Sequence, residues 1–226
     1  GFANDEADSV SHVGPAGNDA TVAIRRPVGV LTVTELDGVA YVTDSEGRVS
    51  RVDPALLQVS QEAQLPSSDS QIVAGGGRLY AVDRSDGTVR ELDAETLMAV
   101  GESVKIGGDL GRAVVDDRGV LWVADAATGE VIEIDGRTVR SNQQVAEPGQ
   151  QLQLSIVGDK VVAINASAST VTQVAGGGGG TTYAVSIGDN ADAPAVVTGG
   201  TVLPVLSTTG LTTLDLATGE TQATTL

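Results

Sequence analysis

The feature that most constrains this chain is a segment pattern that returns five times at a spacing of about 40 residues. Each copy has an apolar run, a polar turn with Gly or Ser, and a second alternating run that usually closes on Asp. The copies read VAYVTDSEGRVSRVD (39–53), RLYAVDRSDGTVRELD (78–93), VLWVADAATGEVIEID (120–135), KVVAINASASTVTQVA (160–175) and TVLPVLSTTGLTTLD (201–215). With an earlier partial copy, the closing residues are spaced 39 to 42 residues apart: Gly14, Asp53, Asp93, Asp135, Ala175 and Asp215. Such regularity predicts a fold built from one repeated supersecondary unit.

Each full repeat contains four strand-like runs, which in the second repeat are 71–75, 78–83, 88–93 and 98–106. The runs are short, rich in β-branched residues and separated by Gly-containing turns, a pattern typical of antiparallel strands. Four strands in about 40 residues match one blade of a β-propeller. We therefore predict an all-β fold, a β-propeller of four-stranded blades with five complete blades plus the second half of another. A β-sandwich is the alternative, but it needs no 40-residue period.

The whole chain, residues 1–226, is predicted to be a single β-propeller domain. In the register of the repeat it begins within the second strand of a blade. We therefore expect a parent propeller of six or seven blades, and either a gap in the ring or an association that fills it. The predicted division is a partial blade over 1–28 and blades over 29–66, 67–107, 108–147, 148–188 and 189–226.

One column of the repeat carries most of the large side chains, at Tyr41, Tyr80, Trp122, Val162 and Pro204. Because blades stack face to face, we expect the rings to wedge between neighbouring blades, where each buried ring contributes roughly 1.5–3 kcal/mol or more. Pro204 cannot donate to a strand ladder, so it predicts a bulge or an irregular blade.

Composition excludes several classes of partner. Thirteen basic against thirty acidic residues give a net charge of −17, which argues against binding nucleic acid or an anionic membrane. The chain has no cysteine, hence neither disulfides nor thiolate metal sites. No apolar run approaches the ~20 residues of a membrane span, so this segment is not expected to insert into a membrane.

The acidic column Asp44, Asp83 and Asp125, with Asn165, closes the second strand of four repeats and is the one candidate metal site. Clustered carboxylate and carbonyl oxygens can bind Ca²⁺. Asp and Asn at such positions also cap the following turn through their side chains. We favour the turn cap, because ligands for one ion must converge and a 40-residue recurrence distributes these residues around a ring. A second column on the opposite rim is interpreted in the same way: Asp53, Asp93, Asp135 and Asp215.

No other motif predicts chemistry, so neither catalytic residues nor a cofactor are expected. His12 is the only histidine and occupies a column of polar residues, which disfavours a lyase that needs a histidine base. Gly176–Gly180 lacks the Gly-Lys-Ser/Thr of a phosphate loop and predicts a flexible turn. Trp122 is the only tryptophan, which disfavours quinone binding. Asn165-Ala166-Ser167 is a formal glycosylation sequon.

Tyr41-Val42-Thr43-Asp44 and Val49-Ser50-Arg51-Val52-Asp53 resemble the repeat motif of the YVTN family of β-propellers, and Val10-Ser11-His12-Val13 resembles the second half of that motif. The likeness covers nearly the whole chain and is looser in the later blades. It implies a propeller of the kind often found in secreted or cell-surface bacterial and archaeal proteins, and it implies no reaction. The spacing is also loosely similar to NHL, quinoprotein and streptogramin-lyase propellers.

From these observations we expect a non-enzymatic, extracytoplasmic propeller that acts as a binding or structural scaffold for a protein or glycan partner. The alternatives are a metal-dependent lactonase or lyase, and a structural module of a longer surface protein. We expect a monomer unless the open blade edge pairs.

Overall fold

The computed structural model describes residues 2–4, 9–13, 19–25, 27–53, 55–174, 180–188 and 191–225. Gly14, Ala175 and most of the glycine run 176–180 lie outside these residues, as does the side chain of His12. The described part of the chain is built from 23 strands. They are β1 Phe2–Asn4, β2 Ser9–Val13, β3 Asp19–Ala23, β4 Thr32–Leu36, β5 Val39–Thr43, β6 Arg48–Asp53, β7 Gln58–Gln64, β8 Ser70–Gly75, β9 Arg78–Asp83, β10 Thr88–Leu92, β11 Val104–Lys105, β12 Leu110–Val115, β13 Val120–Asp125, β14 Glu130–Asp135, β15 Thr138–Gln144, β16 Gln153–Val157, β17 Lys160–Asn165, β18 Thr170–Val174, β19 Thr182–Ala184, β20 Val196–Val197, β21 Val202–Ser207, β22 Gly210–Asp215 and β23 Thr221–Thr225.

These strands form six sheets, and almost every strand pairs antiparallel with the next strand in sequence. The sheets are β1–β3, β4–β7, β8–β11, β12–β15, β16–β20 and β21–β23. The all-β prediction is confirmed. The described residues contain no helix that could cross a membrane. The chain divides into two compact units, Gly1–Lys105 with the first three sheets and Ile106–Leu226 with the last three.

The core of the first unit lies between the faces of successive sheets. Val10 and Val22 of the first sheet pack with Val42 and Val52 of the second. Tyr41 of the second sheet is buried among residues of the third, and its hydroxyl donates to the carbonyl oxygen of Ala94 at 2.8 Å. Tyr41 thus occupies the wedge position predicted from the repeat, with the hydrogen bond that a buried phenol requires.

The second unit repeats this arrangement with different side chains. Trp122 of β13 packs against Leu152 and Leu154 before and within β16. Val162 of β17 packs against Leu203 and Leu214 of the last sheet. Aliphatic faces therefore replace the rings where the column lacks an aromatic residue, because burial of apolar area rather than ring shape drives sheet stacking.

The fourth strand of the third sheet differs from the predicted run 98–106, since β11 covers only Val104–Lys105. Gly101 adopts φ 77° and breaks the extended backbone, leaving a single bridge between Leu92 and Ala99 before the turn. The left-handed conformation at Gly101 turns the chain away from the extended direction, and pairing stops at the Ala99 bridge.

The last sheet differs from a complete four-stranded blade over 189–226, because it contains three strands. The expected first strand, β20, instead pairs in parallel with β16 of the preceding sheet. Pro204 explains the exchange. The N–H and C=O of Leu206 point away from β22 and bond to Asp192. Backbone groups two residues apart in a strand point to the same side, so residue 204 should also donate there. Proline has no N–H, and this edge of β21 therefore lacks a donor. The irregularity predicted at Pro204 is present at the sheet edge, and the β21–β22 register itself is continuous.

Candidate functional site

The four polar residues that close the second strands are buried, and each hydrogen-bonds to the turn that follows it. Asp44 Oδ1 accepts from the amides of Glu46 and Arg48 at 3.0 and 2.9 Å. Asp125 Oδ1 accepts from the Ala127 amide at 3.0 Å. These bonds match the turn-capping interpretation, in which the carboxylate satisfies amides that the ladder leaves unpaired.

Asp83 is the most fully hydrogen-bonded of the four. Its Oδ1 accepts from the Ser85 hydroxyl at 2.7 Å and the Ser67 hydroxyl at 2.9 Å, as well as from the amides of Ser85 and Asp86 at 3.1 Å. Burial raises the pKa of the Asp83 carboxyl, but these hydrogen bonds outweigh burial and hold its pKa below the ordinary value.

Asn165 also caps the turn that follows it, through a side-chain amide instead of a carboxylate. Its Oδ1 accepts from the Ala168 amide at 3.1 Å, and its Nδ2 donates to Gln150 Oε1 at 2.8 Å. Because the side chain is buried and its nitrogen is engaged, the formal sequon at Asn165 does not present an acceptor to solvent in this structure.

The second acidic column also serves local turns. Asp53 accepts from the amides of Ala55 and Leu56, and Asp93 accepts from the amide and hydroxyl of Thr96. These bonds hold the pKa of both carboxyls below the ordinary value. Asp215 accepts a hydrogen bond from the Thr201 hydroxyl at 2.8 Å, whereas Asp135 forms a salt bridge with Arg140 at 2.8 Å. Within the described ranges, no group of three or more His, Cys, Asp or Glu side chains could hold a metal ion.

A segment that the sequence analysis did not single out lies along the free edge of β16. Residues 191–197, termed the strap, are held by side chains of two first strands. Arg112 Nη1 donates to the Ala193 carbonyl at 3.1 Å, Gln153 Nε2 to the Ala191 carbonyl at 2.6 Å and Ser155 Oγ to the Pro194 carbonyl at 2.7 Å. Backbone bonds from Ile156 and Gly158 to the strap complete the attachment.

Arg112 and the strap border a cleft of about 300 Å³ beside the last sheet. One wall carries charge, since Arg112 Nη1 lies 3.5 Å from Asp192 Oδ1. The other wall is apolar. The principal lining residues are Arg112, Asp192, Pro194, Pro204, Leu206 and Leu211.

A second concave surface in the same unit lies between β15 and the pair β18–β19. This groove has a volume of about 510 Å³ and is lined chiefly by amide and hydroxyl side chains, with Glu147 as the charged residue among its described lining. Asn165 lies at its base, where its Nδ2 meets Gln150. The neutral polar lining consists of Gln143, Gln144, Gln150, Thr170, Thr172 and Thr182.

Neither a protein-family model nor a curated protein sequence matches the chain. Solved structures do match. A streptogramin B lyase aligns with a TM-score of 0.74 and 14% identity over 100% of this chain and 78% of the lyase. The virginiamycin B lyase of Staphylococcus aureus aligns with a TM-score of 0.68 and 13% identity over 89% of this chain and 71% of that chain. The dihydro-heme d1 dehydrogenase NirN aligns with a TM-score of 0.64 and 18% identity over 97% of this chain and 49% of that chain.

At these identities the likeness establishes the fold alone. This chain is a β-propeller. The structural match confirms the predicted architecture of repeated blades, whereas the identity of the partner and the assignment to the YVTN family stay predictions.

The propeller's first strands contain a signal that the sequence analysis missed. Gln71 and Gln153 lie opposite Val82 and Ile164, which are equivalent positions of the second strands, and Arg112 falls at the corresponding place in β12, next to a register shift. A polar residue returns there in three successive repeats. The regular spacing of Gln71, Arg112 and Gln153 is the sequence signal that marks these residues.

Proposed function

We propose that this propeller is a non-enzymatic, extracytoplasmic scaffold of the YVTN type that binds a protein or glycan partner. The observation that carries the proposal is the groove between β15 and β18–β19. Its neutral amide and hydroxyl side chains offer donors and acceptors without charge, which suits the hydroxyls of a glycan or the backbone of a protein loop.

The use of the recurring acids supports a scaffold. The carboxylate oxygens of Asp44, Asp83 and Asp125 accept hydrogen bonds from the turns that follow their strands, so the residues that define the repeat maintain the blades. Binding then depends on side chains that vary from blade to blade, as in the groove. Location outside the cytoplasm rests on the YVTN resemblance of Tyr41–Asp44 and Val49–Asp53.

A pair of threonine variants tests the groove. Thr182→Arg places a long charged side chain in the groove, and Thr221→Arg places the same side chain on the exposed strand β23 as a matched control. Both proteins and the unmodified chain are screened on a glycan array and by surface plasmon resonance against a panel of purified extracellular proteins.

The proposal predicts a ligand in one of the two screens whose binding weakens at least about tenfold in T182R, equal to about 1.4 kcal/mol, and is unchanged in T221R. Binding that is equal in both variants would place the site elsewhere, and silence in both screens would count against a scaffold of this kind. No contact among the described residues favours the alternative lactonase or lyase, which stays a prediction from the sequence.

A further inference from the structure

We propose that the cleft between Arg112 and the last sheet is a binding site for a carboxylate carried on an apolar group. The ligand's carboxylate would meet the guanidinium, and its apolar body would cover the wall formed by Pro204, Leu206 and Leu211. This goes beyond the proposed scaffold function, because the cleft is separate from the groove and would bind such a ligand whether or not the groove holds a partner.

Arg112 has donors to spare and a defined orientation. A guanidinium carries five N–H donors in a planar fork. Arg112 Nη1 contacts the Ala193 carbonyl oxygen and Asp192, and no described residue accepts from Nε or Nη2. The backbone carbonyl of the strap thus orients a side chain that remains 46% exposed. The two oxygens of a carboxylate match that fork.

The opposite wall explains why the ligand needs an apolar body. Leu206 and Leu211 face each other across β21 and β22 and are 50% and 36% exposed. Pro204, on the same face of β21 as Leu206, extends this surface. Covering them gains roughly 25 cal/mol per Å² of apolar area, which acetate or inorganic phosphate cannot obtain. A volume of about 300 Å³ lies at the small end of ligand pockets and suits one side chain with its carboxylate.

The charge of Asp192 affects how tightly the cleft should bind a carboxylate. Its side chain is 70% exposed and its oxygen lies 3.5 Å from Arg112 Nη1. An ion pair this exposed contributes little, so an incoming carboxylate can displace it, although the two negative charges repel. Removing the Asp192 charge should therefore tighten binding, an effect expected only if the ligand's anion lies beside Arg112.

The test uses the full chain, isothermal titration calorimetry and ¹H–¹⁵N chemical shifts. The probes are N-acetyl-phenylalanine, N-acetyl-phenylalaninamide, acetate and inorganic phosphate. We expect N-acetyl-phenylalanine to bind with a Kd of about 1 mM or tighter, and the other three to bind at least about tenfold more weakly. A hexapeptide with a C-terminal Phe, in free-acid and amidated forms, separates a peptide C-terminus from a free acid as the source of the carboxylate.

Three variants locate the site. R112Q keeps a donor to Ala193 and removes the charge, so binding should weaken at least about tenfold; R140Q removes a comparable Arg–Asp pair elsewhere in the same unit and should change nothing. D192N should tighten binding about threefold. R112K, which keeps the charge without the fork, should lie between R112Q and the unmodified chain, and native ¹H–¹⁵N chemical shifts of R112Q show that its loss is not misfolding.

The proposal would be overturned if the acid and its amide bind equally, or if R112Q keeps full affinity with native chemical shifts. It would also be overturned if N-acetyl-phenylalanine at about 10 mM does not bind, because the expected Kd is about 1 mM. Weaker binding in D192N would overturn it as well. The T182R groove variant should bind N-acetyl-phenylalanine normally, so a failure here is distinguishable from a failure of the scaffold function.

Discussion

Asp116 is a buried carboxylate that stabilises one hairpin and the ring beside it. Both oxygens are engaged: Oδ1 accepts from the amides of Arg118 and Val120, and Oδ2 accepts from the Arg118 guanidinium at 2.6 Å and from Trp122 Nε1 at 3.4 Å. Burial raises the pKa of this carboxyl, but the bonds from Arg118, Val120 and Trp122 outweigh burial and hold the pKa below its ordinary value.

Asp116→Asn should lower the free energy of unfolding at pH 7 by about 1–3 kcal/mol, because an amide nitrogen would face donors. The depressed pKa means that the folded state binds fewer protons than the unfolded state just below pH 4. The contribution of Asp116 is therefore complete above that pH and is lost as pH falls through the folded pKa. Urea unfolding at pH 7 and pH 3 should show the difference between the two proteins shrinking in acid. Asp117→Asn, at an exposed neighbour, is the control; a constant difference at both pH values would contradict this assignment.

Two leucines adopt the left-handed backbone conformation, which is strained for residues with a side chain. Leu57 and Leu97 have φ of 51° and 60° at equivalent places in the turns after Asp53 and Asp93, where the fifth repeat has Gly219 at 76°. Leu57 is 48% exposed and Leu97 is 4% exposed. The left-handed backbone strain is thus offset by core packing at Leu97 but not at the exposed Leu57.

Leu57→Gly should raise the free energy of unfolding by up to about 1 kcal/mol, since relief of left-handed strain exceeds the greater flexibility of glycine in the unfolded chain. Leu97→Gly should lower it by about 2–4 kcal/mol, because the lost core contacts exceed the relieved strain. Each variant serves as the control for the other in urea denaturation. Changes of the same sign in both would contradict the explanation.

At the level of elements, the hydrogen-bonding groups at the free edge of β21 determine whether another strand can pair with it. Pro204 interrupts the free edge of β21, and the strap bridges that edge only at Asp192 and Leu206. The strap pairs with β16 instead, where the carbonyl oxygens of Ala195 and Val197 accept from the amides of Ile156 and Gly158. An edge with a missing donor resists pairing with another chain, which is a common protection of exposed strands.

Pro204→Val should restore a donor on this edge and increase self-association, measured by sedimentation velocity from about 10 to 500 μM. Pro204→Val with Leu206→Lys is the control, since a charge on the same edge should suppress pairing. Sedimentation of P204V that matches the unmodified chain at every concentration would show that Pro204 does not protect the edge.

At the level of the whole molecule, the repeat predicted most of the architecture. The second and third strands of each copy, such as Val120–Asp125 and Glu130–Asp135, appear where the pattern places them. Most positions of the second strands and alternate positions of the third strands are buried, so apolar side chains recur there and leave a periodic signal. The turn-capping roles of Asp44 and Asp83 were also predictable, because a cap involves only neighbours in sequence.

The strap, the cleft and the groove were not predictable in this way. Arg112 and Ala193 are 81 residues apart, and nothing in their local sequences indicates that one donates to the other. The fourth strands carry weaker patterns because most of their side chains are exposed, and the first strands mix polar with apolar positions.

By itself the sequence determined the repeat, the all-β blades and the local caps, because periodic burial and side-chain bonds to adjacent amides are short-range physics. Tertiary structure alone decided that β20 leaves its own blade for β16, and that Arg112 faces an apolar wall. Those outcomes depend on competition between strand edges far apart in the chain, which Pro204 settles only once the sheets are stacked.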